Sequence, residues 1–239
     1  MTTPSVDDVL KETEFSILES QLLKVEELRA AWASAQPLDP NSDKRLKQKF
    51  RLEWNYNSNH IEGNTLTYGE TELLLIRGQT VGQHTIREYE EMKAHDVAVE
   101  YVAQLAKEER LIRERDIRDL NKIILKEPFW KDAETLDRKP TRIQVIPGEY
   151  KSFPNNVRTA TGEVVDFATP AETPSRVSGL IEWLRAELDN RALHPLETAA
   201  KLHHEFLLIH PFDDGNGRVA WPSEARRSSS CGLGSWGPS

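Results

Sequence analysis

Apolar residues recur about every 3.6 positions through most of the chain, which is the spacing of one face of a helix. In residues 5–35 charged residues separate apolar residues near one face, and we predict a helix whose apolar positions are core: Val6, Leu10, Leu18, Leu22, Val25 and Trp32. Pro37 and Pro40 end this helix. The same periodicity predicts further helices over residues 43–59, 67–75, 86–105, 113–125, 175–188 and 196–209. His95, within one of them, is assigned to packing or to the surface.

The pattern changes between Pro128 and Pro174. Residues 141–146 alternate like a strand, and residues 157–160 and 163–167 flank a Thr-Gly pair and predict a small hairpin. A two-stranded ribbon is only marginally stable by itself, so this one must lie on helices. The sequence therefore predicts an all-α fold with a small β-hairpin.

Composition narrows the function classes. The 239 residues carry a net charge of −8, which excludes a general nucleic-acid binder because no basic stripe is available to neutralise phosphates. A single cysteine, Cys231, excludes an internal disulfide framework and fits a reducing compartment. No long apolar run is present, and the first residues are acidic rather than a basic, apolar signal peptide. We expect a cytoplasmic protein that binds neither membranes nor nucleic acids directly.

The stretch from His210 to Arg218 concentrates the candidate chemistry. Gly215 and Gly217 permit a positive φ and a close approach to a ligand, and backbone N–H groups in such a turn can form an anion nest where a helix begins. Arg218 adds a fixed cation whose fork suits phosphate oxygens. Asp214 is a hard oxygen ligand for Mg²⁺, and His210 is a base that titrates near neutral pH. These residues predict a phosphate-binding turn with a base beside it. The alternative is a Gly-Asn-Gly helix C-cap with a solvated pair of aspartates.

The sequence of this stretch resembles the signature of the Fic (Fido) family, His-Pro-Phe-x-Asp/Glu-Gly-Asn-Gly-Arg-x-x-Arg. The chain matches it at the fixed positions His210, Pro211, Phe212, Asp214, Gly215, Asn216, Gly217 and Arg218. It departs at the second arginine, where it has Trp221.

A second informative stretch, residues 58–64, has the composition of a helix end. Gly63 stands at the C-cap, and Glu62 beside it is left partly free. Ser58, Glu62 and Gly63 resemble the family's inhibitory motif, Ser/Thr-x-x-x-Glu-Gly/Asn. In that motif the glutamate pairs with the second signature arginine and blocks seating of the γ-phosphate of the nucleotide. The alternative is that Glu62 is a solvated charge.

The resemblance implies a Fic-like core in residues 113–220, behind an N-terminal helical region, residues 1–112, that carries the inhibitory motif. It implies transfer of AMP from ATP to a Ser, Thr or Tyr hydroxyl of a target protein. His210 would be the base and Asp214 would hold Mg²⁺. A further set would cradle the phosphates: Gly215, Asn216, Gly217 and Arg218.

The resemblance also implies a flap at about residues 141–170 that binds the target segment as an added strand. The alternative is a surface hairpin with no partner. Whether the chain forms a homodimer stays open.

Residues 221–239 do not continue the expected apolar helix. Pro222 fits only the first turn of a helix, and the Ser- and Gly-rich sequence cannot bury a core, so we predict a disordered tail. If the serines of the run Ser228–Ser230 use TCN codons, another reading frame would encode aliphatic residues or Phe there, which indicates a frameshift or a damaged gene. A true variant is the alternative. Loss of the second arginine leaves two rivals to an enzyme. One is a non-catalytic nucleotide- or protein-binding module, and the other is a truncated, inactive product.

Overall fold

The structure is a computed structural model that describes residues 6–108, 110–135, 139–158 and 163–220, with side chains described from residue 18. The chain divides into two compact units, residues 1–45 and residues 46–239. Trp221 and the predicted tail lie outside the described residues.

Helix α1, Val6–Ser34, makes up most of the first unit. The prediction that its apolar stripe is core is wrong for the side chains that are described. Leu18 is 41 % exposed, and Leu22 and Val25 are only half-buried. Among the described residues this unit contains only α1, a loop and the beginning of the next helix, so it has no core for the stripe to join.

The second unit holds the remaining elements, and the predicted helices are confirmed with small changes at their ends. In chain order the helices are α2 (Pro40–Ile61, which begins in the first unit), α3 (Tyr68–Arg77), α4 (Ile86–Lys107), α5 (Glu114–Leu125), α6 (Thr173–Asn190) and α7 (Pro195–Ile209). Residues 216–220 are again helical. None of the helices in the described part of the chain is long and apolar enough to cross a lipid bilayer.

Capping residues set several of these helix starts. Thr67 and Glu70 form a reciprocal capping box at α3, and Thr85 and Glu88 form another at α4. His194 caps α7, with its Nδ1 accepting from the Leu196 N–H at 3.2 Å. These contacts satisfy N–H groups that have no partner within the first turn.

One apolar core joins α4, α5, α6, α7 and the short helix that follows. Its fully buried members include Ala98, Val177, Phe206, Phe212 and Val219. Phe212 lies near the beginning of the His210–Arg218 stretch and Val219 directly follows its end. Because both side chains are packed in the core, the stretch is fixed at both ends.

The β-structure consists of two short antiparallel ribbons between α5 and α6. Strand β1, Phe129–Glu134, pairs with β2, Pro140–Val145, and β3, Val157–Arg158, pairs with β4, Val164–Val165. The predicted strand at residues 141–146 and the predicted hairpin after it are confirmed. Strand β1 was not predicted. The all-α prediction with a small β-hairpin is confirmed.

Candidate functional site

The signature loop, residues 210–218, begins where α7 ends. His210 takes a left-handed conformation (φ 49°) that turns the chain out of the helix, and its N–H still donates to the Phe206 carbonyl at 3.0 Å. At the far end of the loop Gly215 has φ 79°, and a side chain there would press on Asn121 Nδ2 at 3.3 Å. The Val219 N–H donates to the Gly215 carbonyl at 3.0 Å, which starts the short helix. The sequence prediction of a turn leading into a helix N-terminus is therefore confirmed.

Asn216 shapes the loop from within. It is 3 % exposed, its Oδ1 accepts from the Phe212 N–H at 2.9 Å, and its Nδ2 donates to the Phe212 carbonyl at 2.7 Å. Since the amide side chain is used up inside the loop, Asn216 can offer a ligand only its backbone N–H, at the first turn of the helix.

Asn121 of α5 joins the signature loop to the turn after β2. Its Nδ2 donates to the Asp214 carbonyl at 3.0 Å, and its Oδ1 accepts from the Gly148 N–H at 2.8 Å. Asn121 is fully buried, so both bonds are made away from water, where an unmade bond would be costly.

The His210 ring is half-buried and stacked. Its centroid lies 4.2 Å from that of Phe167, with 16° between the ring planes. Burial lowers the pKa of His210 to about 4, helped by the positive charges of Lys151 and Lys131 and opposed by the Leu207 carbonyl and by Asp214. The imidazole is therefore neutral at pH 7, as a proton acceptor must be. Its Nδ1 is buried without a hydrogen-bond partner in the described part of the chain.

Two residues after β2 hold the loop backbone around His210. Lys151 Nζ donates to the Ile209 carbonyl at 3.1 Å, and Asn155 Nδ2 donates to the carbonyls of His210 at 3.1 Å and Phe212 at 3.0 Å. Lys151 is 3 % exposed, and burial lowers its pKa to about 8. The position of His210 thus depends on a segment more than fifty residues earlier in the chain.

Asp214, the predicted metal ligand, is surrounded by cations. Lys131 Nζ lies 2.8 Å from its Oδ1, Arg218 Nη2 lies 3.3 Å from its Oδ2, and Arg87 Nη2 lies 3.9 Å from the same oxygen. In the described residues no group of three or more His, Cys, Asp and Glu side chains could hold a metal ion. Mg²⁺ nonetheless binds proteins through a single carboxylate where the phosphates of a substrate supply further ligands. Asp214 fits that role only if Lys131 gives way.

Arg218 is buried at the back of the loop, 6 % exposed. Its Nη1 lies 3.3 Å from Glu91 Oε1, in addition to the contact of its Nη2 with Asp214. Arg87 bonds the same Glu91 oxygen at 2.9 Å and stacks over the Phe129 ring at 4.9 Å. Helix α4 and strand β1 therefore supply a charged wall to the site.

Glu62 reaches this site from the end of α2. Its carboxylate lies so close to Gly217 that a Cβ atom there would overlap it. Burial beside the loop raises the pKa of Glu62, as do the charges of Asp214 and Glu91, while Arg218 opposes the shift. Gly63, with φ 92°, turns the chain after it. The structure thus brings two of the sequence-predicted stretches together at Glu62 and Gly217.

A buried polar set holds α2 against α4 behind Glu62. The His95 Nδ1–H donates to Asn55 Oδ1 at 2.8 Å, and Asn59 Nδ2 donates to the Asn55 carbonyl at 2.9 Å. His95 is fully buried, and burial lowers its pKa to about 4. Ser58, the first residue of the predicted inhibitory motif, is buried on the same helix, and its Oγ has no partner in the described part of the chain.

Sequence reasoning missed the residues that surround the loop: Arg87, Glu91, Asn121, Lys131, Lys151, Asn155 and Phe167. None stands in a local motif. The only available signal was a lysine and two asparagines clustered after the Pro147-Gly148 turn, a composition that a surface loop shares.

Comparison with known proteins gives consistent results. The sequence profile of the Fic/DOC family matches residues 111–222. The fold matches the crystal structure of a Fic domain containing signaling protein from Bacteroides thetaiotaomicron, with 46 % identity, a TM-score of 0.77, and coverage of 85 % of this chain and 71 % of that one. It also matches Fic-1 from C. elegans at 23 % identity and a TM-score of 0.72, over 93 % of this chain and 60 % of that one. At that identity the match speaks for the fold alone.

Two relatives carry names that state an activity. Protein adenylyltransferase fic-1 of Caenorhabditis briggsae is 28 % identical over 209 residues, which are 86 % of this chain and 37 % of that protein. Protein adenylyltransferase Fic of Nematostella vectensis is 29 % identical over 178 residues, 74 % of this chain and 37 % of that protein. The chain therefore spans well under half the length of both relatives.

Proposed function

This chain belongs to the Fic/DOC family, and we propose on that premise that it transfers AMP from ATP to a Ser, Thr or Tyr hydroxyl of a target protein. The names of the two adenylyltransferase relatives support this proposal. The single observation that carries it is a half-buried imidazole, His210, whose pKa is lowered to about 4 and which stands beside a glycine turn that opens a helix. A base next to an anion site suits attack by a hydroxyl on a bound phosphate.

In the proposed reaction His210 accepts the proton of the target hydroxyl. The oxygen forms a bond to the α-phosphorus, the bond from that phosphorus to the bridging oxygen breaks, and pyrophosphate leaves. A depressed pKa makes His210 a weak base, but it keeps the ring unprotonated and ready at every pH above about 4. Its stacking on Phe167 fixes the plane of the ring, so catalysis is chiefly a matter of positioning.

The phosphates would lie on the backbone N–H groups of residues 215–217 and near Arg218. Gly217 allows the close approach, because it presents no side chain on the face that Glu62 now covers. Asp214 would hold Mg²⁺, which when bound supplies positive charge to the phosphate oxygens. Lys131, beside Asp214, is a further cation at the same place.

Glu62 would act as an inhibitor of nucleotide seating. Its carboxylate covers Gly217 and carries negative charge where the outer phosphates would lie. The negative charges of the Glu62 carboxylate and of a phosphate placed there would repel each other. Trp221 stands where the family signature has its second arginine, so the ion pair expected to hold that glutamate cannot form with residue 221.

The target would be bound by the ribbon β3–β4 as an added strand. Val164 is 49 % exposed, and among the described residues β4 has a strand partner, β3, on one side only. Main-chain hydrogen bonds of this kind position a hydroxyl with little demand on the neighbouring side chains.

A non-catalytic nucleotide- or protein-binding module is the second candidate. The specific observation in its favour is Trp221, since a site without the second arginine holds the outer phosphates less firmly. A truncated, inactive product is the third.

One experiment separates these functions. The purified chain is incubated with lysate proteins and ATP labelled either at the α- or at the γ-phosphate. AMP transfer labels protein from the α-labelled nucleotide alone, and the label disappears in His210→Ala. If no protein is labelled, calorimetry with Mg-ATP decides between the second candidate, which binds nucleotide, and the third, which does not.

A further inference from the structure

A single segment of the chain, residues 151–167, holds both the backbone and the ring of His210. The four consecutive carbonyls of residues 209–212 all accept from it. Lys151 donates to the first and third through its Nζ, at 3.1 Å, and its backbone N–H, at 2.9 Å. Asn155 Nδ2 donates to the second at 3.1 Å and to the fourth at 3.0 Å.

These bonds fall where the backbone is strained. His210 has φ 49°, a conformation that residues other than glycine adopt at a cost and keep only where the surroundings enforce it. Lys151 and Asn155 enforce it by tying the carbonyls on both sides of His210. Lys151 Nζ also donates to Asn155 Oδ1 at 2.7 Å, so the two residues hold each other in place.

The ring of His210 is fixed from the other end of the same segment. Phe167 lies parallel to it at 4.2 Å, and Lys151 Nζ lies 5.9 Å from the centroid of the Phe167 ring. The three side chains therefore form one cluster around His210. The described residues between Asn155 and Phe167 include the ribbon β3–β4, whose base is closed by Asn156 Nδ2 donating to Asp166 Oδ1 at 2.5 Å.

Lys151 carries a charge that its hydrogen bonds do not require. Its side-chain acceptors are a neutral amide and a neutral carbonyl. The charge of Asp213 raises the pKa of Lys151 against the effect of burial, but the two form no ion pair within 4 Å in the described part of the chain. Burying such a cation is expensive, so a neutral donor would hold the loop at lower cost. What the charge adds is an electric field at the neighbouring imidazole. The other charged groups that act on His210 are Lys131 from β1 and Asp214 from the signature loop.

We propose that Lys151, Asn155 and Phe167 are positioning residues for His210: Lys151 and Asn155 hold its backbone, and Phe167 holds its ring. The proposal rests on the proposed function in so far as His210 is the base. It assigns to the loop between β2 and α6 a role in building the base, in addition to the role in binding a target.

The test follows the ring of His210 directly. Protein with carbon-13 in its histidine rings is titrated by NMR, and the His210 signal is identified by its absence in His210→Ala. We expect the titration midpoint of His210 to rise by about one pH unit or more in Lys151→Met, Asn155→Ala and Phe167→Leu. Phe167→Tyr keeps the stacked ring, and Lys93→Met removes an exposed lysine of α4, so both should keep the original midpoint.

Transfer kinetics give the second measurement. We expect kcat to fall about tenfold or more in the three variants while KM for ATP changes little, because the phosphate site is left intact. If Lys151→Met does not fold, the half-buried Phe167 still decides the matter through Phe167→Leu against Phe167→Tyr.

The outcomes distinguish the positioning role from the proposed function. If the native chain transfers no AMP but the midpoint of His210 rises in the variants, the positioning role is supported and the proposed function is refuted. Active variants with an unchanged midpoint and an unchanged kcat would overturn the positioning role alone.

Discussion

The carboxylate of Glu62 occupies the space that a side chain on Gly217 would need. Glu62 follows α2 in the proposed inhibitory motif, and Gly217 lies in the proposed phosphate-binding turn more than 150 residues later. The contact therefore joins two stretches that the sequence could only place separately. It gives the inhibitory hypothesis a physical form, since a phosphate and this carboxylate exclude each other by volume and by charge.

The effect of removing Glu62 depends on residue 221. In the native chain Glu62→Gly should raise the rate of AMP transfer by less than about twofold, because relief of inhibition does not restore a missing phosphate contact. In a Trp221→Arg background the same change should raise it about tenfold or more, since a charge-assisted contact is worth on the order of 1.5–3 kcal/mol. The measurement is a two-by-two comparison of labelling rates. Strong activation by Glu62→Gly in the native chain would mean that another cation already does the work of the second arginine.

The pH dependence of transfer should reflect a base that stays neutral far into the acid range. The pKa of His210 is lowered to about 4, so the unprotonated form needed for catalysis predominates at all pH values above that. We expect kcat/KM for ATP, which reports groups of the free enzyme, to stay level from pH 8 to about pH 5 and to fall only below it. A fall centred near pH 6.5 would show that His210 titrates like a solvated histidine.

Folding stability should decline between about pH 6.5 and pH 4 because of His95. This ring is fully buried and its pKa is lowered from 6.5 to about 4. Between those values the unfolded chain binds a proton that the folded chain does not, so stability is lost as the pH falls through that window. The loss from this group should be about 2 kcal/mol at pH 5. Urea unfolding at pH 7 and pH 5 measures it.

A variant checks that assignment. His95→Gln keeps a polar group opposite Asn55 but cannot titrate, so its stability should change less between the two pH values than that of the native chain. His204→Gln is the control, because His204 is exposed on α7. Equal acid losses in the native chain and in His95→Gln would assign the effect to other groups.

Lys131 should compete with a metal ion for Asp214. Its Nζ lies 2.8 Å from the carboxylate oxygen that a metal would use. In Lys131→Met this cation is gone, so binding of Mn²⁺ without nucleotide should tighten severalfold. Electron paramagnetic resonance of free Mn²⁺ measures it. The control is Arg142→Met, which removes an exposed cation of the paired strand β2. An unchanged affinity would argue against Asp214 as the metal ligand.

The parts of the site that sequence could predict are those written in one continuous stretch. The turn at Gly215, the helix after it and the place of His210 before the turn follow from residue types and spacing within nine positions. Lys151, Asn155 and Phe167 could not be assigned, because their partners lie more than forty positions away and arise only when α7 packs beside the loop after β2. The same limit applies to Arg87 and Lys131.

Two errors of the sequence analysis have local causes. Strand β1 was missed because Phe129 and Ala133 are its only half-buried residues, and the charged residues between them conceal the alternation. The apolar stripe of α1 was taken for core because periodicity shows that a helix has an apolar face but does not show what covers it.

If the chain transfers AMP as proposed, the position of Glu62 over Gly217 would make the rate of transfer depend on the concentration of nucleotide. Suppose the carboxylate leaves Gly217 uncovered in only a fraction of the molecules. The apparent dissociation constant for nucleotide is then the intrinsic one divided by that fraction. The ATP concentration that half-saturates the site would then be higher than in a chain without the contact of Glu62, and any transfer would require that higher concentration. A partner that moves the end of α2 away from Gly217 would lower that ATP concentration without changing His210, the proposed base.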